Sequence, residues 1–158
     1  MKKVFITIIL CFVCTICSSC FLSFNSQKSE DEIARDLILR NSKIEVPLNS
    51  DIIFQLRDKE AKGCVHGGNF QYTVFLFESD PMDWLNKNSF ENSLDKNKSK
   101  QFEMYYSSVL SSKPEKLGEI PQEFLPNLSE FYYYLQTDDV YFVYTPQNLK
   151  LIVIIPND

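Results

Sequence analysis

The sequence predicts a single α+β domain, with an antiparallel sheet of about five strands and two or three helices, behind an N-terminal export segment. The chain has 158 residues, of which 44% are apolar and 14% aromatic, a composition typical of one globular domain. Its C-terminal third consists of aromatic and β-branched runs separated by turn residues. A few stretches of helical apolar spacing precede that region, which favours α+β over an all-β fold.

The first twenty residues have the pattern of an export signal. Two lysines are followed by 13 mostly apolar residues, 4–16, too few for a membrane-spanning helix of about 20 residues. The stretch that ends in Ser18, Ser19 and Cys20 resembles the lipobox of bacterial lipoprotein signal peptides. That resemblance implies removal of residues 1–19 and acylation of Cys20 by chains such as palmitate. Cleavage after Ser19 without lipidation and an uncleaved helical anchor are the alternatives.

Charge and anchoring together predict a location. Removal of the signal takes away two lysines, so that 14 basic residues remain against 21 acidic ones, a net charge of −7. An acidic chain is a poor ligand for nucleic acid and is repelled by anionic lipid headgroups. We expect residues 30–158 to form a domain that is exported to the bacterial cell envelope. A tether at 20–29 would hold this domain to a membrane through the lipid on Cys20. We expect no nucleic-acid partner.

Helix signals occur in three stretches. An acidic triplet precedes apolar residues at helical spacing, Asp80 and Pro81 suit an N-cap and a first helical residue, and aromatic residues recur near helical spacing after a polar connection. The predicted helices are residues 30–40, 81–94 and 102–110, with a solvated connection at 95–100. For residues 102–110 a strand is the alternative, because their apolar positions fit helical spacing and alternation only in part.

Strand signals occur in five stretches, of which the last three are joined by short turns and predict an antiparallel meander. One of these turns contains Pro146 at a position that type I turns favour. Residues 151–155 (LIVII) are apolar on both faces, which predicts a central strand covered by another layer. The predicted strands are residues 51–57, 70–78, 131–136, 140–144 and 149–155.

The connection between the first two predicted strands holds three of the four glycines, beside Lys62, Cys64 and His66. With Ile44-Glu45-Val46-Pro47 before it and a hydrophobic hairpin at the chain end, this order resembles a family of small uncharacterised bacterial proteins. Their D-T-H-G-G-F-H-G-D-G segment aligns with residues 60–69. The resemblance implies a compact α+β fold and no established activity. The literal matches are Gly63, His66 and Gly67, and the departures include Lys62, Cys64, Gly68 and Asn69.

Cys64 and His66 form the strongest candidate catalytic pair. Residues two apart on extended backbone point the same way, and a histidine beside a cysteine activates a thiol, so a thiol-dependent hydrolase is one alternative. A catalytic pair also needs an orienting group and oxyanion donors, and two ligands fall short of the usual four of structural zinc. We therefore expect no enzyme activity, no metal and no cofactor, and keep Lys62, Cys64 and His66 as candidate binding residues.

Tyrosine is concentrated near the chain end, where five of the eight lie between positions 132 and 144. Such a density suits a recognition surface, but strand pairing also places aromatic rings against one another, and we favour packing. The candidates for exposed contacts are Tyr132, Tyr134, Tyr141 and Tyr144.

The function that these features favour is non-catalytic binding of another envelope protein. A small, acidic, lipid-anchored domain suits that task, because charge raises encounter rates and specificity. An immunity-type lipoprotein that neutralises a basic toxin or hydrolase is one specific form.

Overall fold

The computed structural model describes residues 28–57, 70–112, 114–138 and 140–156. From Asp31 onward the chain forms one unit, and its described residues contain six strands and four α-helices. The α+β class is confirmed, with one strand and one helix more than the upper numbers expected. The helices are α1 (Glu30–Ser42), α2 (Met82–Lys87), α3 (Lys96–Ser111) and α4 (Pro114–Glu119), followed by a 3-10 turn (Gln122–Phe124). The strands are β1 (Ser50–Arg57), β2 (Gln71–Phe77), β3 (Glu91–Asn92), β4 (Tyr133–Gln136), β5 (Tyr141–Thr145) and β6 (Lys150–Ile155).

The strands form one antiparallel sheet in the order β1-β2-β6-β5-β4-β3. The predicted meander is confirmed as β4-β5-β6. The last strand of the chain pairs with β2 on one side and β5 on the other, and its residues 151–155 are all buried. The central, covered strand that LIVII predicts is therefore confirmed.

Helices cover both faces of the sheet. On one face, Phe75 and Val153 pack in a cluster with Ile38 of α1 and Leu85 of α2. On the other, Tyr72, Val74 and Ile152 pack in a cluster with Phe102 and Tyr106 of α3. Since both faces are covered, β6 has a continuous apolar run, while β2 also buries the polar residues Gln71 and Thr73.

The predicted helix at 81–94 is wrong in its second half, because α2 ends at Lys87. Ser89 has a left-handed φ of 59°. Its N–H donates to the Asn86 carbonyl at 3.1 Å, and the Phe90 N–H donates to the Leu85 carbonyl at 3.1 Å. Phe90 packs against the cluster that contains Leu85. This is a Schellman termination in which serine occupies the position that is usually glycine. Because glycine is absent, the sequence does not predict the end of the helix at this point.

The start of α2 also differs from the prediction. Its N-cap is Pro81, with no side-chain capping hydrogen bond. Asp80 instead accepts a hydrogen bond from the Tyr144 hydroxyl at 3.1 Å. The carboxylate expected to cap the helix therefore joins the loop before α2 to β5.

The predicted solvated connection at 95–100 is wrong, because these residues begin α3. Asp95 is the N-cap, and its carboxylate accepts hydrogen bonds from the N–H groups of Asn97 at 3.2 Å and Lys98 at 3.3 Å. The first turns are polar because they are exposed apart from Ser99. A capping aspartate therefore overrides the loop-like composition that follows it.

Candidate functional site

The candidate site is a cleft of about 440 Å³ between α3 and the outer edge of the sheet at β4. Its lining comes from three places: the segment from Ser89 to β3, the part of α3 between Lys98 and Tyr105, and the last residues of β4. The lining residues are Ser89, Glu91, Lys98, Gln101, Phe102, Tyr105, Tyr134, Leu135 and Gln136.

The floor of the cleft is aromatic. The rings of Phe102 and Tyr134 lie 4.5 Å apart, centroid to centroid, at an interplanar angle of 30°. Both side chains are buried, at 3% and 5% exposure. Phe102 belongs to the buried stripe of α3 and Tyr134 to the face of β4 under that helix. Since both rings are held by the core, the floor is pre-formed.

One wall carries an ion pair whose charges are already compensated. Glu91 Oε1 lies 3.3 Å from Lys98 Nζ, and Glu91 Oε2 accepts a hydrogen bond from the Tyr134 hydroxyl at 3.1 Å. Burial, reinforced by the hydrogen bond to Glu91, raises the pKa of Tyr134 to about 12. Tyr134 is thus a neutral donor at physiological pH, and the wall presents little uncompensated charge.

The rim carries polar groups with free hydrogen-bonding capacity. Among the described residues, none hydrogen-bonds the Gln101 amide, and Gln136 Nε2 makes only a long contact of 3.5 Å to the Tyr141 hydroxyl. Tyr105 lies on the rim with 47% of its surface exposed. Two amides and a phenol therefore surround the aromatic floor.

The sheet edge in the cleft is only partly paired. β3 pairs with Tyr133 and Tyr134 alone, so no described strand lies beside Leu135 and Gln136 on the outer side of β4. The edge of a sheet with open N–H and C=O groups is a template for another extended chain. The cleft thus combines this template with an aromatic floor and polar rim.

The four tyrosines considered as exposed contacts are core residues. Tyr132, Tyr134, Tyr141 and Tyr144 are 0%, 5%, 8% and 0% exposed. The Tyr132 hydroxyl donates to Glu103 Oε1 at 2.7 Å, so burial and this hydrogen bond both raise its pKa. Tyr144 likewise has a raised pKa from burial and its bond to Asp80, but it packs on the opposite face of the sheet. These four tyrosines therefore pack in the core and do not form an exposed recognition surface. Of the four, only Tyr134 lines the cleft.

The other residues singled out in the sequence lie outside the described residues. They are the signal segment 1–19, the acylation candidate Cys20, and the glycine-segment residues Lys62, Cys64 and His66.

The cleft residues Gln101 and Gln136 belong to no motif, and sequence reasoning missed them. Tyr105 does leave a signal. Phe102, Tyr106 and Val109 form the inward stripe of α3, and Tyr105 lies outside that stripe. Single exposed apolar residues are common on protein surfaces, so this signal alone does not locate the cleft.

Comparison of the chain with protein-family models, curated proteins and solved structures found no match. Within the described residues, no group of three or more His, Cys, Asp or Glu side chains is placed to hold a metal ion. No helix in that part of the chain has the length and apolar character needed to cross a membrane. The cleft between α3 and β4 is therefore the candidate functional site in the described part of the chain.

Proposed function

We propose that the protein is a lipid-anchored, non-catalytic binding module of the bacterial cell envelope, and that it holds a partner protein in the cleft between α3 and β4. The observation that carries this proposal is the open sheet edge at Gln136, which lines the same cleft as the Gln101 side chain and the buried aromatic rings. Recognition sites for polypeptide typically combine a rigid apolar surface with a few polar groups that fix orientation.

The chemistry of the cleft favours a partner's main chain over a charged small ligand. Glu91 already uses one carboxylate oxygen on Lys98 and the other on Tyr134. A charged ligand would have to compete for these groups, whereas amide groups of a polypeptide match the amides of Gln101 and Gln136. The site thus suits an uncharged stretch of chain.

The acidic balance of the protein supports a basic partner around that contact. The full chain carries 21 acidic against 16 basic residues. Long-range attraction would raise the association rate of a basic partner, and salt would reduce it. Neutralisation of a basic toxin or hydrolase, as by immunity-type lipoproteins, is the specific form of this function that the charge favours.

Envelope crosslinking followed by pull-down tests the proposal. The acylated wild-type chain is compared with Cys20→Ser, and bound proteins are identified by mass spectrometry. We expect one stoichiometric partner with the wild type, reduced when Cys20→Ser releases the chain from the membrane. Absence of an enriched partner with either chain would contradict the proposal.

Thiol alkylation separates the alternative of a thiol-dependent hydrolase. In the acylated protein Cys64 is the only internal cysteine left after signal removal, so the reaction reports on that residue. We expect alkylation of the folded protein to leave partner capture unchanged. Loss of a hydrolytic activity upon alkylation would instead support the Cys64 and His66 pair.

A further inference from the structure

We infer that the cleft recognises its partner by strand addition: an extended, uncharged segment of the partner pairs with Gln136 and continues the sheet beyond the end of β3. This inference rests on the proposed function and specifies how the partner is bound. It assigns the recognition to the main chain of β4, a role that no motif in the sequence marks.

Hydrogen bonds on either side of Gln136 show which way its main chain faces. The Thr137 N–H donates to the Val140 carbonyl at 2.9 Å, which closes the hairpin between β4 and β5. The Tyr132 carbonyl accepts from the Ser93 N–H at 2.9 Å, on the side of β3. Because main-chain groups alternate along a strand, odd-numbered residues of β4 bond toward β5 and even-numbered ones toward the outer edge. Gln136 therefore presents both its N–H and its C=O to the cleft.

The course of the chain before β3 leaves this pair open. Glu91 is paired with Tyr134, and a continued β3 would place Ser89 beside Gln136. Ser89 instead has a φ of 59° and belongs to the turn that ends α2, so the strand does not extend back to this residue. In the described part of the chain, no strand takes the position that the next residues of β3 would occupy, so an added chain can pair there in line with an existing strand.

The surroundings of that position fit an extended polypeptide. On one side of the added strand lie Phe102 and Tyr105 of α3, and the Gln101 amide is within the same cleft. An antiparallel partner residue opposite Gln136 would exchange two main-chain hydrogen bonds with it. Affinity then comes from the main chain and selectivity from side chains that contact the aromatic rings.

The test uses the full acylated chain in detergent micelles and a random library of linear peptides as the probe. Peptides selected on the wild type are then measured against two variants at one position. Gln136→Pro removes the outward N–H, whereas Gln136→Ala removes only the side chain and keeps both main-chain groups. We expect Gln136→Pro to weaken binding by about tenfold and Gln136→Ala by about threefold or less.

Hydrogen exchange at the main-chain N–H of Gln136 gives an independent readout. The free protein should exchange this amide rapidly, and a selected peptide should slow its exchange while leaving the Thr137 amide, already bonded within the hairpin, unchanged. A folded Gln136→Pro chain that binds the peptides as tightly as the wild type overturns strand addition. So does a library from which no peptide is selected.

The failure of strand addition and the failure of the proposed function remain distinguishable. If crosslinking finds a stoichiometric partner whose capture survives Gln136→Pro, the binding function stands and its strand-addition mode does not. If crosslinking finds no partner, the binding function itself fails, whatever the peptides do.

Discussion

The Tyr134 hydroxyl donates a hydrogen bond to Glu91 Oε2 at 3.1 Å and so joins two strands whose residues are 43 positions apart in the sequence. The main-chain pairing between these strands covers only two residue pairs. The same carboxylate contacts Lys98 of α3 at 3.3 Å. One glutamate thus links β3, β4 and α3 at the wall of the cleft.

Removal of this hydroxyl should cost stability modestly. We predict that Tyr134→Phe lowers the free energy of unfolding by about 1 kcal/mol, because a hydrogen bond is lost while the ring and its packing on Phe102 remain. Urea denaturation measures the change. Glu91→Gln, which keeps an acceptor oxygen but removes the charge, should cost less than Tyr134→Phe. Equal stability of wild type and Tyr134→Phe would contradict the contact.

Proline substitutions test the alternation of β4 by stability alone. The Gln136 N–H faces the open edge, so Gln136→Pro should change the free energy of unfolding by within about 1 kcal/mol. The Leu135 N–H faces β5, so Leu135→Pro should lose about 3 kcal/mol or more. Leu135→Ala controls for the lost side chain. If the two proline variants are equally destabilised, the assignment of outward and inward groups is wrong.

The left-handed residue after α2 offers a stabilising change. Ser89 has a φ of 59°, where a Cβ is unfavourable and glycine is not. We predict that Ser89→Gly raises the free energy of unfolding by about 0.5–1 kcal/mol. This net gain already subtracts the cost of the larger chain entropy that glycine has in the unfolded state. Ser89→Ala, which keeps the Cβ, should give no gain. Thermal denaturation of the three chains compares them, and a loss of stability in Ser89→Gly would refute this termination.

Stability should fall at alkaline pH. Burial is the main cause of the raised pKa values of Tyr72, Tyr106, Tyr132, Tyr134 and Tyr144. An unfolded tyrosine has a pKa of about 10, so at higher pH the unfolded chain releases protons that the folded chain keeps. The stabilisation is therefore complete below about pH 10 and is lost as the pH rises toward the folded values. The part of the tyrosinate absorbance that comes from these five buried tyrosines should appear in the same transition as the loss of circular dichroism. Ionisation of these tyrosines without unfolding would contradict their burial.

The elements that the sequence predicts correctly share one property: their pattern reflects burial. The continuous apolar run of β6 indicates two covered faces, and the structure covers both. The errors lie where one residue decides the backbone. Ser89 ends α2 through a backbone conformation that serine seldom adopts. Asp95 starts α3 within a polar run whose composition resembles that of a loop. Periodicity contains no information on either event.

The cleft could be predicted from the sequence only in part. Tyr134 was among the candidate residues, but as an exposed contact, whereas its ring forms the buried floor. Gln101 and Gln136 lie 35 positions apart in the sequence, and only the fold brings both to one cleft. The property that matters at Gln136 is an unpaired main-chain edge, which depends on where the neighbouring strand ends and not on its side chain.

Site-specific photocrosslinking in living cells tests most directly whether a partner occupies the cleft. A photoreactive residue is placed at Gln101, which lines the cleft, or at Leu39 of α1, which is 41% exposed on the helix that covers the other face of the sheet. We expect one crosslinked protein from position 101, absent from position 39 and diminished when Gln136→Pro is added. Crosslinking of the same protein from position 39 but not from position 101 would show that the partner binds elsewhere and would contradict the assignment of the cleft.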